Sequence, residues 1–262
     1  MDLGIKGKWA LVGGASKGLG FGCAQSLARE GAHVVIVARG AEALEAAAIA
    51  LRKFGTTILP VAVDITTPEG RDAVWSVAGG PGKDFDIVVT NAGGPPPGDF
   101  RNWDREAWLK AVDANMLTPI ELIKATVDGM AARKFGRIVN ITSAMVKSPR
   151  PHQALSTSAR TGLTAFSKSL SFEVAADNVT LNNILPERID TPRQEFLARR
   201  QAEINQISYE EARAKFASSI AAKRFGTPEE FADAVAYLCS AQAGFISGQN
   251  LQLDGGSYPG LM

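Results

Sequence analysis

The chain has 262 residues, 45% hydrophobic and 21% charged, enough to bury a sizeable core in one large domain or two small ones. Its 28 basic and 27 acidic residues leave a net charge of +1, which excludes nucleic acid or an anionic membrane as the default partner. No apolar run is as long as a membrane span, and two histidines are too few to suggest a metal site.

The start, MDLGIKGKWALVGG, lacks the long apolar core of a signal peptide, and Cys23 and Cys239 form no redox or metal motif. A cytoplasmic protein with both thiols as buried packing groups is expected. Trp9 to Val12 predicts a first strand. It enters Gly13-Gly14-Ala15-Ser16-Lys17-Gly18-Leu19-Gly20, and a helix is expected from Leu19 to Glu30. Glycines let a backbone turn tightly toward a phosphate, and a helix start offers free N–H groups and a positive dipole end. The spacing is Gly14-x-x-x-Gly18-x-Gly20 and not G-x-G-x-x-G. The setting of strand, glycine turn, helix and second strand (His33 to Ala38) predicts dinucleotide binding. The second strand ends at Ala38-Arg39, with no acid to bond a ribose 2′-hydroxyl. Arg39, with Lys17 as a second cation, favours NADP(H) over NAD(H); the bland alternative is a solvated loop residue.

Further on, helices are expected at Ala41 to Phe54, Pro68 to Ala78, Asp104 to Arg133, Leu155 to Ala176 and Pro228 to Cys239. Strands are expected at Ile58 to Val63, Phe85 to Val89, Arg137 to Ile141, Val179 to Leu185 and Asn250 to Leu253. The strand runs are nearly continuous in apolar residues, as strands buried on both faces are. Strict alternation of strand and helix predicts a doubly wound α/β (Rossmann) fold: a seven-stranded parallel sheet in a three-layer αβα arrangement, one domain over 1–262. The stretch 190–225 is charged, helical and strand-free. It follows the carboxyl end of a strand, where ligand crevices lie, so it reads as a substrate-covering insertion or else as a surface helical pair. Within Asp104 to Arg133, Pro119 has no N–H, which leaves the carbonyl of Asn115 without its usual helical partner. In ALSTSARTGLTAFSKSL, Ser156 and Arg160 are four apart and share a helix face.

Taken together, these pieces resemble the short-chain dehydrogenase/reductase family over essentially the whole length, in the manner of 3-oxoacyl-acyl-carrier-protein reductases. They are Gly14-x-x-x-Gly18-x-Gly20; Asp64 with Ile65 after the third strand; Asn91-Ala92-Gly93 after the fourth; and Asn115. Ser143 follows at the end of GRIVNITS, then Pro186, Ile189 and Thr191 in LPERIDTP, and LDGG at 253–256. The resemblance implies a cofactor across the carboxyl edge of the sheet. Asp64 would bond the adenine amino group, Asn91 to Gly93 would hold the adenosine side, and Ile189 and Thr191 would face the nicotinamide carboxamide. The Asn115 carbonyl would hold a water in a proton relay. It also implies a homotetramer or homodimer assembled through the two long helices, the last strand and the tail Tyr258 to Met262.

The pattern breaks at its centre. The family has Tyr-x-x-x-Lys thirteen residues after the catalytic Ser, and here those positions are Ser156 and Arg160. The only tyrosines, Tyr209, Tyr237 and Tyr258, lie far away in the chain. A serine hydroxyl is a poor general acid at neutral pH, and an arginine does not deprotonate. Arg160 keeps the option of bonding the nicotinamide ribose or steadying an oxyanion, with Ser143 and Ser156 adding hydrogen bonds. For the proton, the candidates are Glu187, His152, Tyr209, Ser156 or water. Pairing with Arg188 or a cation of the insertion is the expected role of Glu187, and Lys168 is expected at the surface. Three functions follow: an NADP(H)-dependent oxidoreductase acting on a small carbonyl, alcohol or related substrate with altered proton-transfer residues; a cofactor-binding protein with little or no turnover; or non-redox chemistry on the same fold.

Overall fold

The computed structural model describes residues 1–261. Seven parallel strands run in the order β3-β2-β1-β4-β5-β6-β7. They are β1 (Trp9–Gly13), β2 (His33–Ala38), β3 (Ile58–Ala62), β4 (Ile87–Thr90), β5 (Gly136–Ile141), β6 (Val179–Pro186) and β7 (Asn250–Leu253). Their side chains alternate between two cores. Ala10, Val12, Val34, Ile36, Ile87 and Val89 point to one face; Leu11, Val35, Val37 and Val88 point to the other. That is why the runs read as continuously apolar: both faces are covered.

On the first face pack α1 (Gly18–Arg29), α2 (Ala41–Arg52) and α9 (Pro228–Leu238), through Leu27, Leu44, Leu51, Phe231 and Val235. On the second pack α3 (Pro68–Trp75), α5 (Thr118–Ala132) and α6 (Ala154–Val174), through Val74, Leu122, Met130 and Val174. Cys23 and Cys239 are fully buried between α1 and α9, and burial pushes the Cys239 thiol up to about 12. No described helix is long and apolar enough to cross a membrane.

One expected element divides. Asp104 to Arg133 is not a continuous helix but α4 (Arg105–Val112), a π-helical turn (Asp113–Leu117) and α5. Pro119 cannot donate to the Asn115 carbonyl, so the ladder widens there, and the Thr118 N–H bonds Asp113 five residues back. The stretch 190–225 contains α7 (Pro192–Asn205) and α8 (Tyr209–Ser218). Its two ends are tied by a parallel bridge between Ile189 and Gly226, and Arg213 reaches back to Asp190 with two bonds of 2.9 and 2.8 Å. Of the tail expected to meet another subunit, Met262 lies outside the described residues.

The chain reverses its direction of travel between β1 and β4, and this switch point opens a crevice at the carboxyl ends of those strands.

Candidate functional site

A cavity of about 920 Å³ occupies that crevice. Its floor starts with the glycine turn. Gly14 and Gly18 have φ of +58° and +60°, a left-handed conformation that side chains resist. Gly20 has a different need: a Cβ there would stand 2.4 Å from the Gly14 carbonyl oxygen. No side chain caps the start of α1, and its first residues, Gly18 and Leu19, line the cavity. We expect Gly20→Ala to force the loop off α1 and cost about 1–3 kcal/mol; an unfolding midpoint equal to wild type in a thermal melt would contradict this packing.

The turn is braced from β4. The Asn91 side chain donates to the Gly13 carbonyl at 3.2 Å, and Asn91, Ala92 and Gly93 all line the cavity. Gly14, Lys17, Gly18 and Leu19 line it too, with Ser143, Ser156, Arg160, Pro186, Ile189 and Thr191 farther along. Ser16 and Gly20 are not part of the lining. Arg39, just past β2, and Asp64 and Ile65, past β3, stand outside this cavity. Arg39 is exposed and helps hold the Asp64 carboxylate below its ordinary value, after the larger effect of two bonds from Thr66 at 3.0 and 2.8 Å.

Arg160 is the most constrained group in the site. It projects from α6 beneath the carboxyl ends of β4 and β5 and is 8% exposed. One terminal nitrogen donates to the carbonyls of Ile141 (2.7 Å) and Thr142 (2.8 Å). The other donates to Ala92 at 3.2 Å, and Nε donates to Ser156 Oγ at 3.2 Å. Four of its five N–H donors are therefore engaged, three of them by backbone. Among the described residues, no carboxylate pairs with it. Burial, and then the charge of Arg193, hold it down to about 10. It stays protonated throughout the neutral range, so burying this charge opposes folding equally across that range.

Ser156 accepts from Arg160, which leaves its own hydroxyl hydrogen to donate. Ser143 accepts from the Met145 N–H at 3.3 Å, capping a short turn after β5. Asn115 is 4% exposed behind Arg160; its amide donates to the Ala111 carbonyl at 3.2 Å, and its side-chain oxygen has no partner. It lines a small void shared with Arg160, Thr90 and Ala92, not the main cavity.

Of the proton-donor candidates, Glu187 and His152 line the cavity. Glu187 pairs with Arg150 at 2.6 Å and not with Arg188 or a cation of α7 or α8, because Arg150 reaches it from the loop ahead of α6. His152 is exposed at the rim with φ of +64°. Tyr209 does not reach the cavity: its ring is held between Arg199 and Arg213, at 4.7 and 6.0 Å, on α7 and α8. Lys168 is exposed over Phe172, as expected.

Two features had no signal in the sequence. The first is a chain of side-chain hydrogen bonds crossing the sheet. Thr90 donates to Asn140 (2.6 Å), Asn140 donates to Asn183 (3.2 Å), and Asn183 donates to Asn250 (2.9 Å). It links β4, β5, β6 and β7, starting buried at the carboxyl end of β4 and ending at half-buried Asn250, the first residue of β7. The second is charge. Arg150, Arg160, Arg188, Arg193, Arg200 and Lys17 line the cavity against only Asp99 and Glu187.

Residues 14–258 match a family model described as enoyl-(acyl carrier protein) reductase. The 3-oxoacyl-[acyl-carrier-protein] reductase FabG of Haemophilus influenzae is 32% identical over 254 residues, covering 97% of this chain and 99% of that protein. Among solved structures, an L-sorbose reductase from Gluconobacter frateurii complexed with NADPH and L-sorbose is 36% identical over the whole of both chains, with a TM-score of 0.92. An actinorhodin polyketide ketoreductase with NADPH is 30% identical, covering 96% of this chain and 97% of that one, with a TM-score of 0.90.

Proposed function

The chain belongs to the short-chain dehydrogenase/reductase family, and from that premise we propose that it is an NADP(H)-dependent oxidoreductase acting on a small carbonyl or alcohol substrate without the family's Tyr and Lys. One observation carries the reading: the uncapped start of α1 opens into the same cavity as Ser143, Ser156 and the buried charge of Arg160. The fit to a dinucleotide is physical. Free N–H groups at a glycine turn suit a diphosphate, and Gly14 and Gly18 put backbone without side chains on the cavity wall, while Gly20 lets the turn pack on α1.

In this reading Gly14 to Gly20 and Lys17 hold the diphosphate, and Arg39 takes the 2′-phosphate. Asp64, Ile65 and Asn91 to Gly93 would hold the adenosine side; Pro186, Ile189 and Thr191 would hold the nicotinamide side, with Arg160 available to its ribose. A nicotinamide bound there supplies or accepts a hydride. The residues do the rest: the Ser143 and Ser156 hydroxyls donate to the substrate oxygen, and Arg160 steadies negative charge on it without giving up its proton. The proton comes from water at the open cavity mouth through Ser156; Glu187, already claimed by Arg150, holds the wall. The insertion 190–225 covers the substrate, with Arg193 and Arg200 resting on the carbonyls of Pro95 and Pro97, each at 3.3 Å. Exposed Leu109, Leu117, Phe172 and Leu251, on the elements expected to meet partners, support a homotetramer or homodimer. Two fully buried thiols suit a cytoplasmic setting.

NADPH is expected to bind at least about tenfold more tightly than NADH, a difference of roughly 1.4 kcal/mol. Fluorescence titration with both reads it, and equal affinity or a preference for NADH would remove the role given to Arg39 and Lys17. A second reading is a cofactor-binding protein with little or no turnover. The capture of Arg160 by three backbone carbonyls favours it, because so little of the guanidinium is left to face a substrate. NADPH binding with no oxidation across a panel of ketones, aldehydes and imines would select it.

A further inference from the structure

The underside of α7 carries Arg193, Leu197, Arg200, Gln201 and Ile204, spaced so that all five share one helix face, and all five line the cavity. This face is cationic and aliphatic together. Arg193 stands in the first turn of α7, where the helix's own positive end repels a cation. Arg193 spends one bond on Pro95 and Arg200 one on Pro97, both long at 3.3 Å, and each guanidinium has other N–H groups to offer. Beside them the Arg188 guanidinium stands over the Phe216 ring, 3.8 Å from its centre, and donates to Gln194 at 3.2 Å. Among the described residues, none of these three arginines forms an ion pair. The neighbouring carboxylate, Glu187, is held by Arg150.

Two of these arginines are held below their ordinary value. Arg193 is lowered by burial and then by the charge of Arg200; Arg188 is lowered by burial, with Glu187 opposing and Arg150 adding a smaller effect. Such an arrangement is relieved by an anion in the cavity. A cofactor diphosphate belongs with the α1 start and does not account for Arg200, which lies seven residues along α7 from Arg193, about 10 Å at helical rise.

We infer that the substrate carries an oxyanion group, a carboxylate or a phosphate monoester, held at the underside of α7 by Arg200 and Arg193, with its aliphatic part against Leu197 and Ile204. This rests on the oxidoreductase reading in that the bound anion is part of the substrate. Planar guanidinium groups suit both oxyanions, because they offer paired donors.

Calorimetric titration of the NADPH-loaded protein tests it with two matched pairs: levulinate against methyl levulinate, and dihydroxyacetone phosphate against dihydroxyacetone. At least one charged member is expected to bind about tenfold or more tightly than its neutral partner. The first pair reports a carboxylate and the second a phosphate. The contrast should collapse in Arg200→Gln and survive in part in Arg200→Lys, while the NADPH affinity of Arg200→Gln stays within about twofold of wild type. Absence of a charge contrast in both pairs overturns the inference. So does a contrast that persists in Arg200→Gln, or an equal loss of NADPH affinity, which would give these cations to the cofactor. If wild type fails to bind NADPH, the oxidoreductase reading falls instead, and the same pairs titrated without cofactor still decide whether the anion site exists.

Discussion

Arg160→Ala is expected to lower the unfolding midpoint by about 10 °C. The substitution leaves the carbonyls of Ile141 and Thr142 without their donors in a buried setting, and that of Ala92 without its donor at the cavity wall. Each unmet buried acceptor costs about 1–3 kcal/mol, offset in part because a buried charge is removed. A net loss of about 3–5 kcal/mol corresponds to roughly 2–4 °C per kcal/mol in a chain of this size. Arg160→Lys should fall between, because one ammonium cannot reproduce a planar fork spread over two strand ends. Scanning calorimetry reads both. A midpoint within about 2 °C of wild type for Arg160→Ala would mean that the guanidinium does not join β4 to β5.

Restoring the family pair, Ser156→Tyr with Arg160→Lys, is expected to raise kcat/KM for simple ketones by about 10²–10⁴, the usual worth of a positioned general acid. Tyrosine brings a phenol into the cavity beside Ser143, and lysine brings a charge that lowers the phenol's pKa. Each single change should achieve far less. Tyrosine beside Arg160 meets a guanidinium already committed to carbonyls, and lysine beside Ser156 has no phenol to act on. The gain should come with lower stability, for the reason just given. Steady-state kinetics at saturating NADPH, with thermal melts alongside, separates the two effects. A double variant that is folded and binds NADPH, yet gains no rate, would mean that the proton donor lies elsewhere.

The strands and their order of occurrence were legible because a parallel sheet is buried on both faces, and that leaves unbroken runs such as HVVIVA at 33–38. The glycine turn was legible for a similar reason: Gly14, Gly18 and Gly20 each answer a local backbone need. The long helix 104–133 was misjudged as continuous. Its periodicity is unaffected by one widened turn, although Pro119 had already marked the place. The surroundings of Arg160 were illegible for a different reason. Its partners are carbonyls of residues 92, 141 and 142, and main-chain oxygens carry no signature in a sequence. The Glu187–Arg150 pair and the amide chain from Thr90 to Asn250 needed strand register and loop path, which local pattern does not give. The cationic roof was hidden in plain charge count, because a chain of net charge +1 shows no excess until its arginines gather on one cavity.

The way Arg160 is held has a bearing on how this protein tolerates change over generations. A buried ion pair is only as durable as its second side chain; one substitution deletes it and strands the charge. The acceptors of Arg160 at Ile141, Thr142 and Ala92 are supplied by every amino acid alike. Those three positions are free to drift among residues of suitable size without loosening the guanidinium. The inherited constraint falls on position 160 itself and on the strands that bring the oxygens together, so the charge at the head of α6 is a property of the fold more than of any neighbouring residue.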